Sequence, residues 1–392
     1  MFLIQGTKKS DALNVLPNDH DISDFLGNIM KYLCLLLIVY GNLTAFQRKL
    51  PNDIVATYSI VGWDSLTGDL GVGVQSKFLG VGAVVPYAKA GVGAIATQAW
   101  ANTSYGPEGL ALLEKGMTPQ QVIEALTKID SNADQRQIGV VDVYGNSFGY
   151  TGTKCLSYAG NISGRGYSAQ GNILANEEVV KAMARTFEIT SGTLAERLMS
   201  ALEAAEKAGG DKRGRQSAAL LVVREEGGYS GFNDRFVDIR VDDDSLPLAE
   251  LRRIYKLWER TFLLEAQMHS VKVFNEKRNF VAAQEVTKRV VSSFNILLRE
   301  KPDDPEVLNR VAWQLTTYDI DHERALELAK RAVKLAPNNL NMLDTFAECH
   351  FRLGHYDEAI AIESELVAKE PTNDDFWKQL QKFKEGKQKA GK

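Results

Sequence analysis

Histidine is missing from the stretch between Ala56 and Val241, although five histidines occur elsewhere in the 392-residue chain. Serine-histidine-aspartate and cysteine-histidine catalytic sets both need an imidazole base, so neither fits this stretch. The histidine ligands of ordinary zinc and iron sites are missing with it. An enzyme built here needs another base, and we expect no metal ion and no other cofactor.

Cysteine and surplus basic charge are also scarce. The three cysteines, Cys34, Cys155 and Cys349, lie far apart in different segments, which excludes a disulfide framework or a cysteine metal cluster. The 46 basic and 50 acidic side chains are spread along the whole chain and leave a net charge of −4. No basic field attracts a phosphate backbone, so nucleic acid is not an expected partner.

An unbroken apolar run, YLCLLLIVY, follows Met30 and Lys31. It has the length of a signal-peptide core and about half the length that spans a bilayer. We therefore predict a signal peptide over residues 30–45 and export to the periplasm or the medium. A short membrane anchor and a buried apolar helix are the alternatives. Residues 1–29 carry aspartates where a signal peptide has basic residues, which predicts a non-native or disordered extension.

Runs rich in β-branched residues alternate with helical pairs over residues 57–241, which we predict to form one domain. TYSIVGWD and DLGVGVQSKF, joined by a turn that contains glycine, predict an opening β-hairpin. Further strands are expected at residues 91–99, 137–143, 147–151, 167–171, 216–223 and 236–241. Helices are expected at residues 107–115, 119–128, 177–187 and 194–208. This order indicates a layered α/β or α+β domain, and periodicity does not fix how the layers stack.

A free α-amine is a base that needs no side chain. Its reference pKa is about 7.7–8.0, so near neutral pH it can take a proton from a hydroxyl on its own residue. An enzyme of this kind needs Thr, Ser or Cys at its mature N-terminus.

The blocks ATYSIVGWD, GVGVQSKFLGVGAVVPYAKAGVGAIATQAWAN, SYGPEGL, YTG, YSAQGNIL and GGDKRGRQSAALLV occur in this order. They resemble the bacterial domain-of-unknown-function 1028 family over residues 57–241, and more weakly to Phe262. The resemblance implies the N-terminal-nucleophile (Ntn) hydrolase superfamily, and hence an α+β fold in a four-layer αββα sandwich that hydrolyses amide bonds. It implies no particular substrate.

The resemblance also implies catalytic residues. Thr57 is the expected nucleophile, and its own amine is the base. Ser59 lies on the same strand face, where it would orient the amine or act as the nucleophile itself. Lys77 is expected beside Thr57, where its charge would lower the pKa of the amine. An ordinary strand threonine and a surface lysine are the alternatives. Ala56 lies sixteen residues beyond Tyr40, so a second cut within the predicted propeptide or linker, residues 46–56, is required.

Two other groups are candidates for substrate contacts. Asp211, Arg213 and Arg215 lie in a glycine-bounded turn that suits a substrate carboxylate. A turn held by its own Asp-Arg hydrogen bonds would have the same sequence. Asn102 and Asn172 are candidate oxyanion donors, although asparagine is also common in turns for conformational reasons.

The sequence after residue 241 changes to helix formers. Residues 242–301 are predicted to be a linker and a helical hairpin, and residues 302–392 to be tetratricopeptide repeats with a capping helix. Pro302, Pro337 and Pro371 recur at intervals of 35 and 34 residues, and Ala325 and Ala359 are 34 apart. Such an array commonly binds a peptide or protein on its concave face. Packing on the first domain, or forming a homo-oligomer, is the alternative.

These features predict an exported Ntn-type amidohydrolase that acts on an unknown small amide or peptide and carries a protein-binding repeat module. The alternative from another class is a catalytically silent αββα domain that serves as a binding or scaffold protein of the cell envelope. A glycan-cleaving enzyme is less favoured, because Asp64, Asp142 and Asp211 show no spacing that pairs two carboxylates.

Overall fold

The computed structural model describes residues 57–391. The predicted extension (1–29), signal peptide (30–45) and propeptide or linker (46–56) lie outside the described residues. No helix among residues 57–391 combines the length and the apolar character needed to cross a membrane.

Within residues 57–391, ten strands form two antiparallel sheets. The larger sheet has the order β10-β9-β2-β1-β8-β7 and the smaller one the order β3-β4-β5-β6. The strands are β1 (Thr57–Trp63), β2 (Leu70–Ser76), β3 (Pro86–Lys89), β4 (Gly93–Ala99), β5 (Arg136–Asp142), β6 (Ser147–Thr151), β7 (Gly160–Gly164), β8 (Tyr167–Gly171), β9 (Ser217–Val223) and β10 (Arg235–Val241). The predicted hairpin is β1 and β2, which lie at the centre of the larger sheet.

Two helical pairs cover the outer faces of the sheets. They are α1 (Tyr105–Glu114) with α2 (Pro119–Ile129), and α3 (Glu178–Ile189) with α4 (Leu194–Lys207). The first pair packs on the smaller sheet through Ile95, Val122 and Leu126. The second pair packs on the larger sheet, where Leu198 of α4 and Ile60 of β1 belong to one buried apolar cluster. The four-layer αββα order expected from the family resemblance is therefore confirmed.

The described residues that follow β10 form helices joined by short loops. These helices are α5 (Pro247–Arg260), α6 (Phe262–Glu276), α7 (Phe280–Glu300), α8 (Pro305–Thr317), α9 (His322–Leu335), α10 (Leu340–Arg352), α11 (Tyr356–Lys369) and α12 (Asp374–Ala390). The helix pairs α8 with α9 and α10 with α11 form two successive repeats, and α12 packs on the second. These helices match the predicted array and capping helix.

Helix α5 was predicted to belong to a linker and helical module outside the first domain, but it packs on that domain. Leu248, Leu251 and Tyr255 recur on one helix face and are buried in the same core as Phe236 of β10. The chain turns at Thr261, where φ is −117° and ψ is −96°, and this turn separates α5 from α6. The apolar face of α5 therefore extends the core of the first domain beyond residue 241.

Two acidic side chains meet inside the second repeat. Glu363 of α11 is fully buried, and Asp344 of α10 is half-buried beside it. Burial and the nearby carboxylate of Asp344 raise the pKa of Glu363 to about 8, while burial and the charge of Glu348 raise the pKa of Asp344 to about 6. The neighbouring Glu348 is paired with Arg352 and with Lys382 of α12. The folded repeat therefore favours the protonated form of Glu363.

The free energy of unfolding of the repeats is expected to fall as the pH rises. The pKa of Glu363 is raised from 4.5 to about 8 on folding, so the native state holds more protons than the unfolded state between these values. Glu363→Gln should remove most of this pH dependence and stabilise the repeats at pH 8. Urea unfolding followed by circular dichroism at several pH values tests this, with the exposed Glu365→Gln as the matched control. Equal pH dependence in both variants would contradict the prediction.

Candidate functional site

The space between the two sheets is apolar at one end and polar at the other. On β2, Leu70, Val72 and Val74 line the apolar end and Ser76 lies at the polar end. On β1, Val61 is followed toward the start of the strand by Ser59 and Thr57. Because strand side chains alternate, the side chains of both sets point between the sheets. The polar end is the candidate site.

Thr57 is the first residue of the central strand β1 and is completely buried. Its hydroxyl lies 3.1 Å from the hydroxyl of Ser76, its register partner on β2. Its carbonyl oxygen accepts hydrogen bonds from the backbone N–H of Asn172 at 3.0 Å and from Nε2 of Gln98 at 3.2 Å. Both sheets therefore hold the residue predicted to be the nucleophile.

Ser59 lies on the same strand face as Thr57, as its spacing predicts, and is also completely buried. Its hydroxyl donates to Oε1 of Gln98 at 2.6 Å and accepts from Nε2 of Gln170 at 2.7 Å. Because this hydroxyl both donates and accepts a hydrogen bond, Ser59 fits a positioning role better than a nucleophilic one.

Three glutamines that the sequence reasoning missed connect the two sheets. Gln98 and Gln137 lie on neighbouring strands of the smaller sheet, and Nε2 of Gln98 donates to Oε1 of Gln137 at 2.7 Å. Gln137 in turn donates to the carbonyl of Gly171 on the larger sheet at 2.8 Å. Gln170 accepts from Ser168 at 3.1 Å. The sequence feature that could have revealed these glutamines is that each lies within a strand made largely of small or β-branched residues.

Glycines make room for this network. A Cβ atom on Gly139 would lie 2.2 Å from Oε1 of Gln170, and one on Gly149 would lie 2.6 Å from Nδ2 of Asn161. Any side chain at these positions would displace an amide of the network. The glycines in these strands are therefore explained by close packing against side chains.

Asn172 and Asn102, the two predicted oxyanion donors, have different surroundings. Asn172 is completely buried directly after β8 and donates from Nδ2 to Gln137 at 3.0 Å. Its Oδ1 has no hydrogen-bond partner among the described residues. Asn102 lies in the loop before α1, where its Oδ1 accepts from the backbone N–H of Ser104 at 3.2 Å. Of the two asparagines, only Asn172 contacts Thr57, through its backbone N–H. The contact of Asn102 instead fits the alternative that this asparagine shapes its turn.

The side chain of Asp211 holds its own turn. It accepts from the backbone N–H groups of Lys77 at 3.0 Å and Arg213 at 2.9 Å, and it pairs with the guanidinium of Arg213. Arg215 pairs with Glu206 of α4 at 3.0 Å. These contacts fit the structural alternative for the turn. The side chain of Lys77 is exposed, directly after Ser76 in sequence.

The other carboxylates considered for catalysis also hold turns. Asp64 accepts from the backbone N–H groups of Leu66 and Thr67, and Asp142 accepts from those of Tyr144 and Asn146. Within residues 57–391, no three His, Cys, Asp or Glu side chains are grouped so that they could hold a metal ion.

The architecture defines an αββα domain with a buried polar site between its sheets, joined to an array of helical hairpins. The model of the family of unknown function DUF1028 matches residues 57–251, and a tetratricopeptide repeat model matches residues 321–382. Protein SPO2555 from Silicibacter pomeroyi, a solved member of that family, is 31% identical over 52% of this chain and 86% of its own, with a TM-score of 0.48. The chain belongs to the DUF1028 family and carries tetratricopeptide repeats.

Solved tetratricopeptide proteins are also among the structures similar to this chain. The Sgt2 tetratricopeptide domain from Aspergillus fumigatus is 16% identical over 33% of this chain and 81% of its own, with a TM-score of 0.22. A tetratricopeptide repeat protein from Parabacteroides merdae is 17% identical over 36% of this chain and 56% of its own, with a TM-score of 0.25. No curated protein matches this chain.

Proposed function

We propose that this protein is an exported Ntn-type amide hydrolase whose nucleophile is Thr57. The observation that carries the proposal is the place of Thr57 on the central strand β1, with its hydroxyl 3.1 Å from that of Ser76. A cut before residue 57 would make Thr57 N-terminal, and contacts from both sheets hold it in position. Because histidine is missing from the domain, the amine is the base that fits.

The chemistry begins with cleavage of the bond between Ala56 and Thr57. The freed amine then accepts the hydroxyl proton as the oxygen attacks the substrate carbonyl. Collapse of the tetrahedral intermediate expels the amine product, which takes the proton, and leaves an acyl ester on Thr57. Water hydrolyses this ester and restores the hydroxyl. In this scheme Ser76 orients the hydroxyl, while Gln98 and the backbone N–H of Asn172 fix the carbonyl of Thr57.

Export and partner binding complete the proposal. The apolar run before residue 45 would direct the chain out of the cytoplasm, and a second cut would remove residues 46–56. The tetratricopeptide repeats support binding of a protein or peptide partner, because helical hairpins of this type form a concave surface suited to such a ligand. The substrate would be a small amide or a peptide.

One observation favours a catalytically silent scaffold instead: the side chains of Thr57 and Ser59 are both completely buried. A substrate reaches Thr57 only if the removal of preceding residues opens a path to it. The N-terminus of the mature protein therefore separates the two functions.

The mature chain is expected to begin at Thr57. Intact mass and N-terminal sequencing of protein secreted by its native host test this directly. In parallel, Thr57→Ala should accumulate the longer chain if the cut is autocatalytic, whereas a host protease would still process it. A mature, functional chain that begins upstream and keeps Thr57 in peptide linkage would contradict the proposed mechanism and favour the scaffold.

A further inference from the structure

A cavity of about 240 Å³ lies beside the candidate site, on the helix-facing side of the larger sheet. Its lining includes Tyr58 of β1, Gln75 of β2, Glu206 of α4, and Gly210, Asp211 and Arg215 of the turn before β9. Thr57 and Ser76 point to the opposite face of the same two strands. The cavity is thus next to the proposed nucleophile in sequence but separate from the network between the sheets.

The hydroxyl of Tyr58 is the unusual feature of this cavity. Tyr58 is completely buried, and its hydroxyl has no hydrogen-bond partner in the part of the chain that the structure describes. Buried hydroxyls are nearly always paired, because an unpaired one loses its hydration without compensation. Burial also raises the pKa of Tyr58 well above its usual range, so the hydroxyl keeps its proton and remains a donor.

Tyr58 and Glu206 face the same space. Both residues line the cavity, and a Cβ atom placed on the lining residue Gly210 would lie 3.8 Å from the hydroxyl oxygen of Tyr58. The carboxylate of Asp211 is already occupied by the N–H groups of Lys77 and Arg213. Glu206 gives one oxygen to Arg215. A ligand in the cavity therefore meets a hydroxyl donor and a carboxylate acceptor.

We infer that this cavity binds a small molecule through a primary carboxamide group, whose oxygen accepts from Tyr58 and whose NH₂ donates to Glu206. A carboxylate would meet two acids, Glu206 and Asp211, against one guanidinium in the lining, Arg215, which is already paired with Glu206. An ammonium group can donate hydrogen bonds but cannot accept one, so it would leave the hydroxyl proton of Tyr58 unpaired. The carboxamide satisfies both partners. Since a water molecule takes up about 30 Å³ in the liquid, a cavity of about 240 Å³ suits a ligand of up to about eight non-hydrogen atoms.

The test is a titration of the full chain, carrying ¹³C-labelled tyrosine rings, with three probes of matched shape: butyramide, butyrate and butylamine. We expect butyramide to shift one tyrosine resonance, which is missing in Tyr58→Phe, and the other two probes to leave it in place. Tyr58→Phe and Glu206→Gln should each weaken butyramide binding about tenfold or more. Glu203→Gln is the matched control, because Glu203 lies on the same helix and pairs with an arginine but does not line the cavity.

Two further measurements separate binding in the cavity from effects on folding and on hydrolysis. Tyr58→Phe should melt at or above the temperature of the parent protein, because it removes an unpaired buried hydroxyl, so lost binding will not reflect lost folding. Thr57→Ala should bind butyramide normally, which makes the inference independent of hydrolysis. The inference is overturned if butyrate binds as well as butyramide, if Tyr58→Phe leaves the affinity unchanged, or if butyramide does not bind.

Discussion

Thr57→Ala is expected to abolish amide hydrolysis by the mature protein, with a loss on the order of 10³-fold or more in kcat/KM, as is found when catalytic nucleophiles are removed. The hydroxyl of Thr57 is the group that attacks, and no histidine in the domain can activate a substitute. Wild type and variant are compared on a panel of small acyl anilides, and both proteins are produced with residue 57 as the free N-terminus.

Two controls separate the chemistry from the fold. Thr57→Ser keeps a hydroxyl on the N-terminal residue and should retain measurable activity. Ser76→Ala removes the hydroxyl that lies 3.1 Å from Thr57 and should lower kcat while leaving the nucleophile in place. Thr57→Ala with full activity and an unchanged melting temperature would show that another residue attacks the substrate.

Arg224→Ala is expected to lower the free energy of unfolding by about 3–5 kcal/mol, the usual cost of removing one partner from a buried ion pair. Arg224 follows β9 and binds both oxygens of Asp69, at 2.6 and 2.7 Å. It also donates to Ser270 of α6 at 3.1 Å, and its guanidinium lies 3.7 Å from the ring centre of Phe236. Because the side chains of Arg224 and Asp69 are only 4% and 1% exposed, water cannot compensate the carboxylate left behind.

Urea unfolding of the full chain measures this effect. Arg253→Ala is the control, since Arg253 forms an exposed pair with Glu250 on α5 and its removal should change the free energy of unfolding only slightly. In the double variant Asp69→Leu with Arg224→Met, both charges are absent, and much of the loss should be recovered. A loss at Arg224 no larger than that at Arg253 would show that the buried pair does not stabilise the protein.

The sequence predicted the elements with strong local patterns. The opening hairpin has β-branched runs on both sides of a glycine turn, and the helical pairs have apolar residues at helical spacing. The short strands β3 and β7 were missed, because PYAK begins with proline and GNISG is mostly small and polar. Helix α5 was assigned to the wrong side of the boundary, because an amphipathic helix does not reveal which core its apolar face joins.

The candidate site was predictable only in part. The family resemblance pointed to Thr57 and Ser59, and amide chemistry pointed to Asn102 and Asn172, of which the fold brings Asn172 to Thr57. Three glutamines of the network were missed, since a glutamine within a strand normally indicates a solvent-facing position and only the pairing of two sheets buries all three. The turn around Asp211 was ambiguous, because the same residues that could bind a substrate also bind one another.

Helix α6 contributes to two cores at once. Leu263 and Ala266 pack with the αββα domain, whereas Leu264 and Met268 pack with the repeats. Moving the repeats away from the αββα domain would expose apolar side chains of this helix to water. The helix therefore does not act as a free hinge between the repeats and the domain. A ligand bound by the repeats would consequently keep a constant distance and orientation relative to Thr57.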